Sequence, residues 1–323
     1  MFIKMKPQYL INTLKDLKSI KEKQEGVTVV ITFSRKILVP FFFKAFNQMV
    51  LPRKDMHLLV YDNTQDMPLA DALKAEITPL IPLFKSVRLY KSNIKGRGCL
   101  CGVGNECFML SKLYNIWSMW KRAWRMVYTD VFFQIEDDTI APPNSFNKLY
   151  KTLLKHKKSA FVTGIEVGRA TLPWAPTRLG VHKVKMKGKK ILERHSFHPN
   201  TKGIKKIDAA GVYLFVARTK PFLTGFDGIH PYKDGIPFFA MDNVFTWNIK
   251  RHGYELYADF SVWCTHLSIS TGRVIAWGKN QAYHASDIWV PKFHNYAMNI
   301  EIKPKGFRFR EKRVRKPAPT WEI

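Results

Sequence analysis

Residues 27–33, VTVVITF, form an unbroken apolar run rich in β-branched side chains. Such a strand has no polar face to turn to water, so it must be covered on both sides. MHLLVYDN at 56–63 reads as a second buried strand, and SVRLYKSN at 86–93 as a third strand. Between them, SRKILVPFFFKAFNQM reads as a loop leading into a helix, and a second helix covers 68–77. Residues 105–124 carry apolar side chains at 109, 110, 113, 116, 117, 120 and 124, the period of a core-facing helix. A strand over 131–135 follows, then a helix near 144–156 behind Pro142-Pro143, then the strand SAFVTGIEV. Strands alternating with helices predict an α/β fold, a Rossmann-like, mostly parallel sheet flanked by helices.

In such sheets ligands bind beyond the carboxyl ends of the strands. Three strands end there in polar groups: Ser34-Arg35, Asp62-Asn63, and the consecutive acids Glu136, Asp137 and Asp138. Charged groups at the end of a buried strand are costly unless paired or bound to a cation. Alternation along an extended segment predicts that Glu136 and Asp138 point the same way. Two hard carboxylates on one side suit Mg2+ or Mn2+ carrying a diphosphate; the bland reading is a solvated acidic loop paired with lysines. The glycine-rich KGRGCLCGVGN, residues 95–105, precedes a helix, and its N–H groups with Arg97 suit a phosphate as well as they suit a plain turn. No G-x-x-x-x-G-K-[ST] sequence occurs, which gives a P-loop NTPase no support.

The later half changes character. Residues 183–206 hold nine Lys/Arg against the single acid Glu193, and VHKVKMKGKKIL alternates about Lys187-Gly188 as a projecting basic hairpin. DAAGVYLFVAR returns to strand, DNVFTWNIKRHG reads as a helix stopped by Gly253, and YELYADFSVWCTHL as a strand running to His266. Residues 303–316 hold eight basic side chains and read as a tail. The expected organisation is an amphipathic segment 1–26, a domain 27–300 with halves 27–140 and 141–300, and a basic tail 301–323.

No secretory signal and no apolar run of 18 or more residues is present, which predicts a soluble or at most peripheral chain. Cys99, Cys101 and Cys107 cluster without a zinc-finger spacing, and Cys264 stands apart; light cysteine usage fits a reducing, cytoplasmic compartment.

The acids after the fourth strand of an α/β sheet, an Asp-x-Asp-like triplet, resemble the nucleotide-sugar glycosyltransferases of the GT-A fold, closest to family 2. Asp62 in LLVYDN matches the acid that contacts the nucleoside in that family. FFAMDNVFTWNIKRHGYEL resembles its G-E-D-x-D-hydrophobic-x-x-R segment with Asp242 at the second acid, and VWCTHL resembles the segment where a histidine, here His266, completes the metal shell. The resemblance covers about residues 27–268. It departs at Ala240-Met241, where Gly-Glu is usual, at Val244, and at Glu136 in place of the first aspartate.

What the resemblance implies is an inverting, metal-dependent transfer. Mn2+ or Mg2+ is held by Glu136, Asp138 and His266, the nucleotide-sugar by Ser34, Arg35, Asp62, Asn63, Arg97 and Asp137, and Asp242 is the base for the acceptor hydroxyl. Without the resemblance, Asp242 reads as an N-terminal helix cap.

A net charge of +28, from 53 Lys+Arg against 25 Asp+Glu, points to a polyanionic partner. The candidate contacts are Lys183, Lys185, Lys187, Lys189 and Lys190 in the hairpin and Arg308, Arg310, Arg313 and Arg315 in the tail. One reading takes DNA with hydroxymethylated bases as the acceptor, as in the resembling phage enzymes, with Trp174 free to stack a base and the protein in the host cytoplasm. A second takes a lipid-linked or surface glycan at an anionic membrane. A third, of another class, is a nucleic-acid-binding protein that has kept a transferase fold without catalysis.

Overall fold

The computed structural model describes residues 9–11, 23–35, 38–62, 69–91, 116–166, 180–187, 190–198, 200–229, 241–270 and 273–277. The three segments expected as strands form them: β2 Val27–Phe33, β3 Met56–Asp62 and β4 Ser86–Lys91. A short strand, β1 Tyr9–Ile11, joins β4 in parallel inside the segment expected to be an amphipathic lead-in. Between them lie α1 Val39–Phe46, which carries Pro40 in its first turn, and α2 Leu69–Ile77. A third helix, α3, covers 116–125, and residues 105–115 of its expected span lie outside the described residues.

The chain continues through β5 Val131–Glu136, β6 Thr139–Ile140, α4 Ser145–Lys155 and β7 Ser159–Ile165. The basic hairpin is formed by β8 Val181–Lys187 and β9 Lys190–Ser196. Then come β10 Ile204–Ile207, β11 Ala209–Ala210, β12 Leu214–Arg218, α5 Thr219–Leu223 and α6 Met241–Arg251. The last described elements are β13 Glu255–Trp263, β14 Thr265–Ser270 and β15 Arg273–Trp277.

Nine strands form one sheet in the order β1-β4-β3-β2-β5-β12-β7-β13-β10. From β1 to β5 all neighbours are parallel; β12 runs antiparallel between β5 and β7, and β13 returns to parallel beside β7. This is the α/β, mostly parallel architecture expected from the sequence. The insertion of β12 between β5 and β7 makes one sheet of both halves of the chain.

Successive strand residues supply opposite faces. Val29, Ile31 and Phe133 pack with Phe42, Phe43 and Phe46 of α1 and Phe146 and Leu149 of α4. Val30, Phe132 and Phe215 pack with Trp120 and Trp124 of α3 and Phe245 of α6. The Trp124 indole N–H is satisfied inside this core by Gln134 Oε1 at 2.8 Å, so its full burial leaves no unpaired donor.

Register lines up the carboxyl ends of the parallel strands, pairing Phe33 with Asp62 and Thr32 with Glu136. A second small sheet, β15-β14-β6, closes over that edge, and a third, β11-β8-β9, carries the basic hairpin. Helix α6 docks on β11 through Thr246, whose hydroxyl meets both the N–H and the C=O of Ala210 at 2.9 Å. It also docks on the 224–227 loop through Asn248, whose amide reaches three backbone carbonyls. Gly253, at φ 87°, ends α6 in the left-handed conformation that glycine adopts without a Cβ clash.

Candidate active site

The site lies where β2, β5 and β7 end. Strand β5 stops at Glu136, and residues 137–138 form a turn before β6. The turn at 137–138 interrupts the alternation expected to aim Glu136 and Asp138 the same way. Glu136 Oε1 accepts from the Trp120 indole N–H at 3.3 Å. Among the described residues, no group of three or more His, Cys, Asp or Glu side chains is arranged to hold a metal ion.

Asp138 and His266 do meet. Strand β14 pairs with β6, setting His266 opposite Thr139, and the Leu267 N–H donates to the Asp138 carbonyl at 2.6 Å. His266 Nε2 then lies 3.2 Å from Asp138 Oδ2, although the two are 128 positions apart. Both side chains are buried.

Asp138 Oδ2 and His266 Nε2 suit two neighbouring positions around a divalent cation in type and spacing, and the Arg35 guanidinium rests 2.6 Å from the same Asp138 oxygen. Two atoms each about 2.1 Å from one octahedral ion stand about 3 Å apart, and carboxylate oxygen with imidazole nitrogen suits Mn2+.

Asp137 has a different task. Its Oδ2 accepts from the backbone N–H of Ser34 at 2.8 Å and of Arg35 at 3.0 Å, and its Oδ1 lies 2.5 Å from Arg35 Nη2. The same nitrogen lies 2.6 Å from Asp138 Oδ2. Burial alone lowers the Arg35 pKa, but the charge of Asp137, its hydrogen bond, and the charges of Glu136 and Glu166 reverse that and leave it raised. Arg35 is thus a fixed cation beside both acids. Asp62 is buried at the end of β3, level with the last residue of β2.

Asp242 occupies the first turn of α6. Its Oδ1 accepts from the Asn243 N–H at 2.8 Å, and its Oδ2 lies against Gly211, where an added Cβ would sit 3.1 Å away. Backbone hydrogen bonds lead from there to the strand ends: Gly211 N–H to Gly180 O at 2.7 Å, and Gly180 N–H to Glu166 O at 3.1 Å.

Glu166 is a site residue that sequence reasoning missed. It follows β7 immediately, is 6% exposed, and reaches the Nδ1 side of His266. The signal was present, since an acid ends the buried run 159–165 as Asp62 ends 56–61.

The basic hairpin is stapled to α6 through Asp208, which pairs with Lys250 and lies 4.0 Å from Lys183, while the Val184 N–H donates to it at 2.9 Å. Lys183 and Lys185 are exposed. Only the backbone of Lys187 and Lys190 is described; Lys189, Asn63, Arg97, Trp174, Cys99, Cys101, Cys107, Arg308, Arg310, Arg313 and Arg315 lie outside the described residues. Cys264 is a free buried thiol whose pKa is pushed well up by burial and then by the Glu166 charge. No helix among the described residues is long and apolar enough to cross a membrane.

No protein-family model matches the chain, and no curated protein sequence matches it. Solved structures do. GalNAc-T7 with UDP, GalNAc and Mn2+ aligns at 12% identity and TM-score 0.49, over 81% of this chain and 48% of that one. TarS of S. aureus aligns at 11% identity and TM-score 0.41, over 73% of this chain and 60% of that one. The mannosyltransferase PcManGT from Pyrobaculum calidifontis, in complex with GDP-Man and Mn2+, aligns at 13% identity and TM-score 0.44, over 76% and 60%. The chain therefore matches only 48% to 60% of the length of these proteins. The functional reading rests on the side chains and not on these likenesses.

Proposed function

We propose that this chain is a GT-A glycosyltransferase that moves a sugar, with inversion, from a nucleotide-sugar to a hydroxyl acceptor in DNA carrying hydroxymethylated bases. The observation that carries the reading is the meeting of Asp138 and His266 at 3.2 Å on the carboxyl edge of the parallel strands.

Asp138 and His266 would hold the divalent cation, Mn2+ or Mg2+. When bound, that ion supplies positive charge against the diphosphate of the donor. Arg35 adds a permanent cation at the same edge, and Asp137 orients it through the Ser34 and Arg35 backbone. Asp62, at the end of β3, is level with this edge and suits the nucleoside.

Asp242 is the proposed base. It takes the proton of the acceptor hydroxyl as that oxygen attacks the anomeric carbon. The bond from that carbon to the diphosphate oxygen breaks, and the nucleoside diphosphate leaves with the electron pair. Attack from the face opposite the leaving group inverts the configuration.

The DNA acceptor is supported by exposed Lys183 and Lys185 on a hairpin braced against the helix that bears Asp242. Lysines there neutralise phosphates and hold the duplex near that helix.

The test is a transfer assay with labelled sugar nucleotides and Mn2+, offering hydroxymethylated DNA, unmodified DNA and a lipid-linked glycan. Label entering hydroxymethylated DNA alone is the expected result. Label entering the lipid-linked glycan instead overturns the DNA acceptor, and no turnover of any sugar nucleotide overturns the enzyme.

A further inference from the structure

We propose that Glu166 is a positioning residue that holds the His266 imidazole by its Nδ1 edge and so aims Nε2 at Asp138. The proposal rests on the reading of Asp138 and His266 as cation ligands, and deepens it.

A carboxylate as buried as Glu166 is destabilising unless something positive or hydrogen-bonding meets it. The contact made by its carboxylate is with His266, Oε1 to Nδ1 at 2.5 Å. The pair is close without the alignment of an ideal hydrogen bond, so the contact fixes the edge of the ring rather than a single N–H direction.

The backbone of Glu166 is itself held on both sides. Its N–H donates to the Tyr213 hydroxyl at 3.1 Å, and its carbonyl accepts from Gly180. The Tyr213 hydroxyl in turn donates to Gly164 O at 3.0 Å, and the Tyr213 ring packs where Cβ atoms on Gly180 and Gly211 would sit, at 2.8 and 2.6 Å. Cys264, two residues before His266, is tied to the same strand end by its N–H to Ile165 O at 2.8 Å. The carboxylate is therefore presented by a rigid frame shared by β7, β12 and β14.

A neutral imidazole has one N–H and one lone pair. Without a cation, Nε2 stands in hydrogen-bond geometry with the Asp138 carboxylate, which can only accept, so the proton sits on Nε2. With a cation held there, the carboxylate against Nδ1 would favour the proton on that edge and free the Nε2 lone pair for the ion. A carboxylate behind a metal-ligating histidine sets its tautomer and ring angle, and its loss weakens metal binding about 10–100-fold.

The test uses the full chain without donor, as wild type, Glu166→Ala, Glu166→Gln and Asp138→Asn. Mn2+ binding is read from the EPR signal of the free ion, the His266 ring nitrogens from NMR of ring-15N-labelled protein with the resonance assigned by a His266→Gln control, and folding from thermal melting. Glu166→Ala is expected to weaken Mn2+ binding about 10–100-fold and to shift the His266 Nδ1 resonance. Glu166→Gln, which keeps an acceptor oxygen, is expected to fall between Ala and wild type in both readouts.

Mn2+ affinity and Nδ1 resonance unchanged in Glu166→Ala, while Asp138→Asn abolishes Mn2+ binding, overturns the positioning role and leaves the cation site standing. If the wild type binds no Mn2+, the cation reading fails, and the ring resonance alone decides whether Glu166 holds His266. If Glu166→Ala does not fold, the same readouts on Glu166→Gln decide, and wild-type values in both overturn the proposal.

Discussion

Arg35 and Asp137 are joined through both side chain and backbone: the guanidinium reaches the carboxylate at 2.5 and 3.5 Å, and the Arg35 backbone N–H at 3.0 Å. The double contact makes Asp137 the clasp between the ends of β2 and β5, because the same carboxylate also accepts the Ser34 N–H. Asp137→Ala strands these donors and leaves Arg35 without one of its two acids. Arg35 is part-exposed, so losing its charged hydrogen-bond partner costs less than a fully buried pair would, about 1–3 kcal/mol, and that loss is expected in urea unfolding. Asp137→Asn, which keeps an acceptor oxygen, is expected to cost less.

Asp242→Asn separates chemistry from structure. The amide oxygen retains the contact with the Asn243 N–H but cannot take a proton. The expected outcome is a fall in kcat of about 10²–10⁴-fold with an unchanged melting curve. A kcat equal to wild type assigns Asp242 to the first turn of α6 and removes it from the chemistry.

Gly211→Ala probes the same carboxylate from its other side. The new Cβ would stand 2.6 Å from the Tyr213 ring and 3.1 Å from Asp242 Oδ2. Neither neighbour moves freely, since Tyr213 is buried and bonded through its hydroxyl and Asp242 is held by the Asn243 N–H. Overpacking of this kind costs about 1–3 kcal/mol, and the displaced Asp242 is expected to lower transfer in kinetic assays as well.

Alkaline pH is expected to loosen the frame behind the site. Burial first, and then the Glu166 charge, raise Cys264 above its ordinary 9.0 and Tyr213 above its ordinary 10.0. The unfolded chain releases these protons near the ordinary values while the folded chain keeps them. Their contribution is therefore complete below about pH 9 and is lost as pH rises above it. Thermal melts taken through this range are expected to fall, and Cys264→Ser with Tyr213→Phe is expected to flatten that fall. Thiol reagents are expected to reach Cys264 only on unfolding.

Duplex binding by the hairpin is expected to depend on salt. Replacing Lys183 and Lys185 with Gln removes two exposed cations from β8. For every phosphate that is no longer neutralised, the slope of log affinity against log salt is expected to shrink by about 0.9, measured by fluorescence anisotropy. A slope equal to wild type removes the hairpin from the polyanion surface.

Much of this fold was legible in local chemistry. VTVVITF and MHLLVYD are apolar almost throughout, so they could become only strands covered on both sides, and every residue of both is buried; SVRLYK read as a strand and is one. The lysine alternation about Lys187-Gly188 and the glycine after α6 were equally local and equally readable. The acids after the fourth of the long strands were visible for the same reason, because an apolar run that ends in charge marks the rim of a sheet.

Partnership across distance was not legible. Local alternation predicted Glu136 and Asp138 on one side, and a turn at 137–138 interrupts that extended run, while Asp138 faces His266. That meeting depends on the register of β14 on β6, a backbone pairing between segments more than a hundred residues apart; periodicity gives no sign of it, and only the family resemblance of VWCTHL sets His266 beside Asp138. Glu166 carried the same strand-end signal as Asp62, but only the convergence of β7 with β14 gives it the Nδ1 edge of His266. By itself, the sequence determined which segments are buried strands and which residues stand at their rims, since burial and periodicity are properties of neighbours in the chain. Only the tertiary structure decided which rim residues face one another, because cross-strand register joins atoms that the chain order keeps apart.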